Sequence, residues 1–261
     1  MIQPLAYVNP EAKIADNVVI EPFVTIHKNV VIEEGSWIGS NVTIMEGARI
    51  GKNCRIFPGA VVSAIPQDLK FEGENSVLEV GNNVTIRECV TLNRGTKAMG
   101  KTKIGDNCLI MAYVHIAHDC MVGDNVILAN GVQLAGHVEI DDHTILGGLS
   151  AVHQFVKIGK HCMISGGSLV RKDVPPYSKA GREPLGYEGV NSVGLRRRGY
   201  DSKTINLIQD VYRWLFLRGL NNTQALRKIE EVVELTKERD EIIQFIKDSD
   251  RGIMKGFITH K

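Results

Sequence analysis

The chain has 261 residues, a formal net charge of +1 and 43% apolar residues, enough for one large domain and a smaller one. A charge near zero, with no long basic tract, gives no reason to expect nucleic acid as a partner. No apolar run is long enough for a membrane span and the N-terminus lacks a signal-peptide pattern, so we predict a cytoplasmic protein.

The first predicted element is a repeat of six residues. An apolar anchor recurs at every sixth position from Ile14 to Val62, from Val80 to Leu92, and without a miss from Ile104 to Val170. This period is typical of a hexapeptide β-helix, in which three short strands form one coil. The small or β-branched residue four positions after each anchor should also point inward, because side chains alternate along a strand. Pairs such as Asp106-Asn107 tolerate the left-handed backbone of a sharp corner.

Two segments interrupt the repeat, at about 63–79 and 95–101, and the frame resumes in phase after both. Loops that leave a rigid scaffold often carry function, although a neutral insertion is the alternative. The five cysteines cannot all pair in disulfides. Four occupy the inward slot and are predicted to be small buried hydrophobes, namely Cys54, Cys108, Cys120 and Cys162. Cys89 is out of this register and should be the accessible thiol.

The repeat ends after Pro175-Pro176, and we divide the chain into a β-helix at 1–178 and a connection with a C-terminal helical domain at 179–261. One apolar stripe at helical spacing comprises Ile205, Ile208, Val211, Tyr212, Leu215 and Phe216. A second comprises Ala225, Leu226, Ile229, Val232, Val233 and Leu235. A third short helix is predicted from Glu241 to Lys247. Residues 175–261 hold 16 Lys and Arg against 12 Asp and Glu, so the tail is the basic end.

Histidines recur at the spacing of one coil. With 18 residues per coil, His118, His137 and His153 should share one face and corner, and His115 should point outward just before that corner. The four would lie along one edge within roughly 10 Å, at about 4.8 Å per coil. The remaining histidines do not join this column and are predicted to be surface residues: His27, His143, His161 and His260.

Three chemistries compete for this column. Stacked histidines on β-helix trimers can hold zinc, although each histidine here occupies a different slot. A Cys120–His118 nucleophile would require an inward thiol to meet an outward imidazole. General-base catalysis needs only an exposed imidazole and a backbone N–H that receives an oxyanion.

Several stretches resemble one enzyme family, the UDP-N-acetylglucosamine O-acyltransferases that begin lipid A synthesis. They are HIAHDCMVGD at 115–124, LAGHVEIDD at 134–142, GGLSAVHQF at 147–155, DVPPY at 173–177, QDLK at 67–70, GVN at 189–191 and GLRRRGY at 194–200. The likeness covers essentially the whole chain. It implies a mainly β fold, a left-handed parallel β-helix of hexapeptide repeats with a C-terminal α-helical domain. It also implies a homotrimer with active sites in clefts between subunits. Such a left-handed crossover is an exception to the usual rule.

The resemblance further implies transfer of an R-3-hydroxyacyl chain from acyl carrier protein to the glucosamine 3-hydroxyl of UDP-N-acetylglucosamine. His118 resembles the general base, Asp119 would assist it electrostatically, and the Gly136 N–H would stabilise the oxyanion. No covalent nucleophile, metal or cofactor is implied, because the acyl group arrives activated on the phosphopantetheine of the carrier protein. A basic tail would suit this acidic partner.

The same resemblance implies binding roles for further residues. Asp68 and Lys70 would contact sugar and phosphate; the residues lining the sugar and acyl pocket would be His115, His137, His153 and Gln154. The nucleotide end would be held by Asn191, Arg197 and Arg198, since a guanidinium can donate bidentately to a pyrophosphate. Val193 departs from an acidic residue that some members carry, so contacts to uracil or ribose are expected to differ.

Gly166 matches the family position at which side-chain bulk sets acyl length, so we predict a preference for long hydroxyacyl chains. Three alternatives stay open. One is a β-helix N-acyltransferase that uses an amine acceptor on another sugar nucleotide. The others are a zinc-dependent, carbonic anhydrase-like trimer and a non-catalytic solenoid scaffold.

Overall fold

Three sheets form the faces of a triangular β-helix in this computed structural model, which describes residues 1–256. Within that range there are 28 strands, most of them two residues long. Sheet I contains Tyr7–Val8, Thr25–Ile26, Thr43–Ile44, Val61–Ala64, Thr91–Asn93, His115–Ile116, Gln133–Leu134, Ala151–Val152 and Leu169–Val170.

The other two faces have the same parallel stacking. Sheet II contains Lys13–Ile14, Val31–Ile32, Ala48–Ile50, Val77–Val80, Lys101–Ile104, Met121–Val122, Glu139–Ile140 and Lys157–Ile158. Sheet III contains Val19–Ile20, Trp37–Ile38, Arg55–Ile56, Thr85–Ile86, Leu109–Ile110, Ile127–Leu128, Ile145–Leu146, Met163–Ile164, Ser178–Gly181, Gly186–Val190 and Lys255–Gly256. The strand pair Ser178–Gly181 and Gly186–Val190 is antiparallel, so sheet III continues past the coils.

The six-residue repeat accounts for the core. Every anchor from Ile104 to Val170 is at most 3% exposed, and the small residues of the second inward slot are buried beside them. Complete burial of one such aliphatic side chain contributes about 1.5–3 kcal/mol, so the stacked anchors stabilise the prism. The four in-register cysteines are buried and Cys89 is exposed, which confirms both predictions.

The corners join the sheets along three edges, which we name by the sheets that they connect: I–II, II–III and III–I. Asn107, Asn125 and Gly131 turn the chain with φ of 57°, 57° and 70°, as their residue types predict. The interruptions are loops at 65–76 and 94–100, and both leave sheet I and re-enter sheet II. Both loops therefore emerge along the I–II edge.

The described residues also contain four helices: α1 (Ser192–Arg197), α2 (Ser202–Phe216), α3 (Asn222–Val232) and α4 (Lys237–Lys247). Asn221 begins α3 with a capping box, in which its side chain and that of Gln224 bond each other's backbone N–H. The stripe of α2 is buried as predicted, apart from the partly buried Phe216. No helix among residues 1–256 combines the length and the apolar character needed to span a bilayer.

Two predictions about this region and its surroundings are wrong. Val232 and Leu235, assigned to the second apolar stripe, are 50% and 74% exposed. The helix α3 ends at Val232, so Leu235 does not continue its buried face. His161 is only 6% exposed, because His143 and Tyr177 stack on its two faces and Tyr200 meets its edge. His260 lies outside the described residues.

Candidate active site

Two columns of residues meet where the chain turns from sheet I to sheet II. His118 and Gly136 occupy equivalent corner positions in successive coils, and Asp119 and His137 occupy the next positions, as the pairing of Ile116 with Leu134 fixes. Asp119 and His137 have φ of 59° and 60°, the left-handed conformation of the corner. The His137 N–H donates to the His118 carbonyl oxygen at 3.1 Å, so the two coils hold these side chains in register.

His118 and Asp119 form a hydrogen-bonded pair. His118 Nδ1 lies 2.9 Å from Asp119 Oδ2, and the two side chains are 14% and 0% exposed. Burial acts to raise the pKa of Asp119, but hydrogen bonds from Thr96 and His118 outweigh it, so this pKa lies below its ordinary value. An ionised carboxylate only accepts, which assigns the proton of neutral His118 to Nδ1. Nε2 is left with a lone pair that can accept a proton.

Gly136 provides space for the imidazole of His118. A Cβ at Gly136 would lie 2.7 Å from His118 Cε1 and 2.8 Å from Nε2, closer than non-bonded atoms approach. Any side chain at this position would therefore displace the ring. Within residues 1–256 the Gly136 N–H has no hydrogen-bond acceptor, so it is available as a donor beside the imidazole.

His137 joins the same cluster from the coil above. Its ring meets that of His118 edge to face at 5.3 Å and stacks on Phe155 at 4.5 Å. His137 Nε2 is 3.6 Å from Asp119 Oδ2, too far for a hydrogen bond but within electrostatic reach. The site thus places two imidazoles around one buried carboxylate.

The remaining predicted pocket histidines flank this pair. His115 precedes the corner on sheet I, where its Nδ1 lies 2.8 Å from Thr91 Oγ1. Burial, followed by the nearby His118, lowers the pKa of His115 and favours the neutral ring. His153 and Gln154 are exposed at the same corner of the next coil, and His153 Nδ1 lies 3.3 Å from a guanidinium nitrogen of Arg251.

An open cavity of about 320 Å³ lies beside the cluster. Its lining comprises Met99, Asp119, Met121, His137, Glu139, Phe155, Lys157, Asp173, Asp250 and Arg251. Arg251 comes from the C-terminal segment, which is tied back to Asp173 through the Met254 N–H. Sequence reasoning missed Arg251, since no pattern connects it with a corner 98 residues earlier.

A Cys120–His118 nucleophile is inconsistent with the geometry. Cys120 follows Asp119 but points into the prism, where its thiol donates to the Ala135 carbonyl at 3.1 Å. Burial raises the pKa of Cys120 to about 12, so a reactive thiolate does not form near neutral pH. The inward slot explains both properties.

The other predicted site residues are distributed over all three edges. Asp68 and Lys70 lie in the loop 65–76 on the I–II edge, where the Asp68 carboxylate accepts from the Lys70 N–H at 3.0 Å. Asn191 is buried at the II–III edge, where it caps α1 and donates to the His161 carbonyl at 2.9 Å. Gly166 is exposed on the III–I edge.

The two predicted nucleotide-binding arginines differ in environment. Arg198 donates to the Gly194 and His143 carbonyls, and burial lowers its pKa. Arg197 is exposed on α1. One chain therefore gathers His118, Asp119, Gly136 and His137, but it does not bring Arg197, Arg198 or Gly166 to them.

Sequence models of three families match successive parts of the chain. The model described as the GMPPB C-terminal domain matches residues 2–98, and the bacterial transferase hexapeptide (six repeats) matches 101–136. Domain 2 of UDP N-acetylglucosamine O-acyltransferase matches residues 173–254. Together with the coils and the histidine corner, these matches define a hexapeptide-repeat acyltransferase.

Full-length relatives identify the family. Proteins named acyl-[acyl-carrier-protein]--UDP-N-acetylglucosamine O-acyltransferase are 58% identical over 253 residues in Sulfurihydrogenibium sp. (97% of this chain, 93% of the relative) and 61% identical over 252 residues in Chlorobium phaeobacteroides (96% of each). A crystal structure of the UDP-N-acetylglucosamine acyltransferase from Bacteroides fragilis superposes with a TM-score of 0.96 at 49% identity, covering 98% of this chain and 100% of that one.

The chain belongs to the UDP-N-acetylglucosamine O-acyltransferase family. This confirms the resemblance and the predicted fold class, a left-handed parallel β-helix with a C-terminal helical domain.

Proposed function

We propose that the chain transfers an R-3-hydroxyacyl group from acyl carrier protein to the glucosamine 3-hydroxyl of UDP-N-acetylglucosamine, the first step of lipid A biosynthesis. The relatives' names support the substrates. The observation that carries the mechanism is the His118–Asp119 pair, which leaves Nε2 as the proton acceptor beside the free Gly136 N–H. A general base of this kind contributes typically 10²–10⁴-fold to a rate.

In this mechanism Nε2 of His118 removes the proton of the sugar 3-hydroxyl as its oxygen attacks the thioester carbonyl. The Gly136 N–H donates to the oxyanion that develops, and Asp119 stabilises the imidazolium. Collapse of the tetrahedral intermediate expels the carrier-protein thiolate, which takes the proton from His118. No covalent enzyme intermediate is needed, because the thioester is already activated. No bound cofactor is required beyond the phosphopantetheine that the carrier protein brings.

A homotrimer would complete the site. Asn191 and Arg198 are on the II–III edge and Gly166 is on the III–I edge, whereas His118 is on the I–II edge. Packing of copies edge to edge would bring the nucleotide-holding residues of one copy to the histidine corner of another. Sedimentation velocity should give three chains per particle; a monomer with full activity would contradict this arrangement.

The remaining binding residues take the places that the resemblance implies. Asp68, Lys70, His115, His153 and Gln154 would line the sugar and acyl pocket. Their support is that all five lie on, or directly beside, the edge that carries His118. The basic tail would attract the acidic carrier protein, and this attraction should weaken with salt.

Gly166 would leave the acyl groove open. Gly166 is exposed at its corner, and a Cβ there would already lie 3.1 Å from the Gly148 carbonyl oxygen, a tight contact, so glycine leaves the most space at this position. We expect long hydroxyacyl chains to be transferred faster than short ones, and rates on carrier proteins loaded with each should show it. Faster transfer of the shorter chains would contradict this proposal.

The decisive experiment supplies loaded carrier protein and UDP-N-acetylglucosamine and analyses the product by mass spectrometry. An ester at the 3-hydroxyl supports the proposal. An amide would favour the N-acyltransferase alternative. If the folded protein transferred no acyl group, the result would favour a non-catalytic solenoid scaffold. His118→Gln keeps the approximate size and polarity of the side chain and should lower turnover by about 10²-fold or more.

One observation favours a second candidate, a zinc-dependent hydratase. Ligand atoms of His118, Asp119 and His137 lie within 4.8 Å of one another, as three zinc ligands could. Against this reading, the two Asp119 oxygens already accept hydrogen bonds from Thr96. Stoichiometric zinc in purified protein, together with a hydratase activity that a chelator removes, would favour the hydratase. If a chelator leaves acyl transfer unchanged, acyl transfer does not require zinc.

A further inference from the structure

Thr96 lies in the loop 94–100 and contacts Asp119 from outside the histidine column. Its backbone N–H donates to Asp119 Oδ1 at 2.9 Å, and its hydroxyl donates to Oδ2 at 2.6 Å. Thr96 is 5% exposed and the Asp119 side chain is 0% exposed, so both hydrogen bonds are shielded from water. Charge-assisted hydrogen bonds in such surroundings are among the stronger ones in proteins.

The direction of the hydroxyl is also determined. The Ala98 N–H donates to Thr96 Oγ1 at 3.2 Å, so the oxygen accepts from one side and its proton points to Asp119. On the opposite side the Asp119 N–H donates to Thr102 Oγ1 at 2.8 Å. Thr102 thus holds the Asp119 backbone and Thr96 holds the carboxylate, whose Oδ2 is shared between the Thr96 hydroxyl and His118 Nδ1.

The loop that carries Thr96 is fixed at both ends. A Cβ on Gly95 would lie 2.3 Å from the Lys101 nitrogen, so this close approach requires glycine. The Lys97 N–H donates to Glu74 Oε1 at 2.8 Å, and the Arg94 guanidinium lies 5.5 Å from the Phe71 ring. Glu74 and Phe71 belong to the loop 65–76, which contains Asp68 and Lys70. The two loops therefore support each other on the I–II edge.

We propose that Thr96 is a positioning residue for acyl transfer, which holds the Asp119 carboxylate oriented so that Nδ1 of His118 keeps its proton and Nε2 faces the substrate. This inference rests on the proposed function of His118. Thr96 touches neither substrate nor the reacting atoms in this account. It acts through Asp119. The other ionisable groups around the cavity are His137 from the same edge and Glu139, Lys157, Asp173, Asp250 and Arg251.

The test compares Thr96→Val, which keeps the shape and removes the hydroxyl, with Thr96→Ser, which keeps the hydroxyl. For Thr96→Val we expect kcat to fall roughly 10- to 100-fold, the effect of losing one hydrogen bond to a charged group. KM for UDP-N-acetylglucosamine should change by less than about threefold, and Thr96→Ser should stay within about threefold of the parent in kcat. Thermal unfolding of both variants would show that each is folded.

A second measurement does not need turnover. In protein labelled with ¹⁵N-histidine, His118, assigned by its loss in His118→Gln, should show the Nδ1–H tautomer, and Thr96→Val should shift this signal while Thr96→Ser should not. An unchanged His118 signal and kcat in Thr96→Val would overturn the proposal, as would a rise in KM alone. If the unsubstituted protein transferred no acyl group, the proposed function would fail while the tautomer measurement still tested Thr96.

Discussion

Two edges of the prism carry columns of aromatic rings with nearly the same backbone. On the I–II edge His137 stacks on Phe155 at 4.5 Å, and on the II–III edge His143 stacks on His161 at 4.8 Å. The φ values of these four residues lie between 56° and 63°. Each column also precedes a buried thiol, since Cys120 follows Asp119 and Cys162 follows His161. The hexapeptide corner alone therefore does not decide what a histidine does.

The neighbours of each column make the difference. On the II–III edge His161 is covered by Tyr177 and Tyr200, and burial lowers the pKa of His161 to about 4. On the I–II edge the rings open to a cavity and His118 bonds an ionised carboxylate. A histidine buried without a carboxylate stays neutral and structural, whereas a partly exposed histidine paired with a carboxylate can exchange protons.

The largest expected effect separates the two edges by catalysis. His118→Ala should lower kcat by about 10²-fold or more, because it removes the proton acceptor. His161→Phe, which keeps a stacked ring, should retain most of the activity. Steady-state acyl transfer at saturating substrates would measure both; equal losses in the two variants would contradict the comparison.

A smaller loss is expected from Gly136→Ala. The added methyl group would lie 2.7–2.8 Å from the His118 imidazole, so the ring must move while the coil stays intact. We expect kcat to fall roughly tenfold to a hundredfold, as displacement of a catalytic group by about 1 Å does. Circular dichroism should be unchanged, and activity equal to that of the parent would show that the ring need not sit above Gly136.

As the pH falls, the first loss of folding stability is expected from His161 on the II–III edge. The unfolded chain protonates His161 near pH 6.5 and the folded chain only near pH 4, so protons favour unfolding between these values. The free energy of unfolding should fall by up to about 3 kcal/mol as the pH drops from 6.5 to 4. Asp119, whose pKa is lowered, loses its contribution only below its ordinary range. Urea unfolding of His161→Phe should show a flatter pH dependence; an identical slope would mean that other groups dominate.

The smallest expected effect concerns the thiols beneath the two columns. Cys120 and Cys162 are buried with pKa values raised to about 12, whereas Cys89 is exposed on the III–I edge. A water-soluble maleimide should label one thiol per folded chain, at Cys89, and leave activity unchanged. Peptide mapping would locate the label, and modification of Cys120 in folded protein would show that the coil opens there.

Local periodicity explains what the sequence predicts well. The anchors, the inward cysteines and the shared corner of His118 and His137 all follow from the positions of residues within a coil. Thr96 and Arg251 could not be found this way, because they reach the corner from a loop and from the chain's C-terminal segment. The prediction that His161 is a surface residue is wrong for the same reason: its covering residues Tyr177 and Tyr200 lie outside the repeat. The roles of Arg197, Arg198 and Gly166 stay predictions, since one chain does not bring them to His118. The role of Asp68, which lies on the edge that carries His118, stays a prediction too.

The parallel stacking of coils also has a consequence for altering the molecule. Each coil adds one strand spacing of about 4.8 Å along the prism, and no smaller step is available without breaking the ladder. The distance along the prism between the corner that carries His118 and the C-terminal helices can thus change only by whole coils. Fine tuning of substrate fit must instead come from loop length and side-chain size, which makes the two loops on the I–II edge the natural places to redesign.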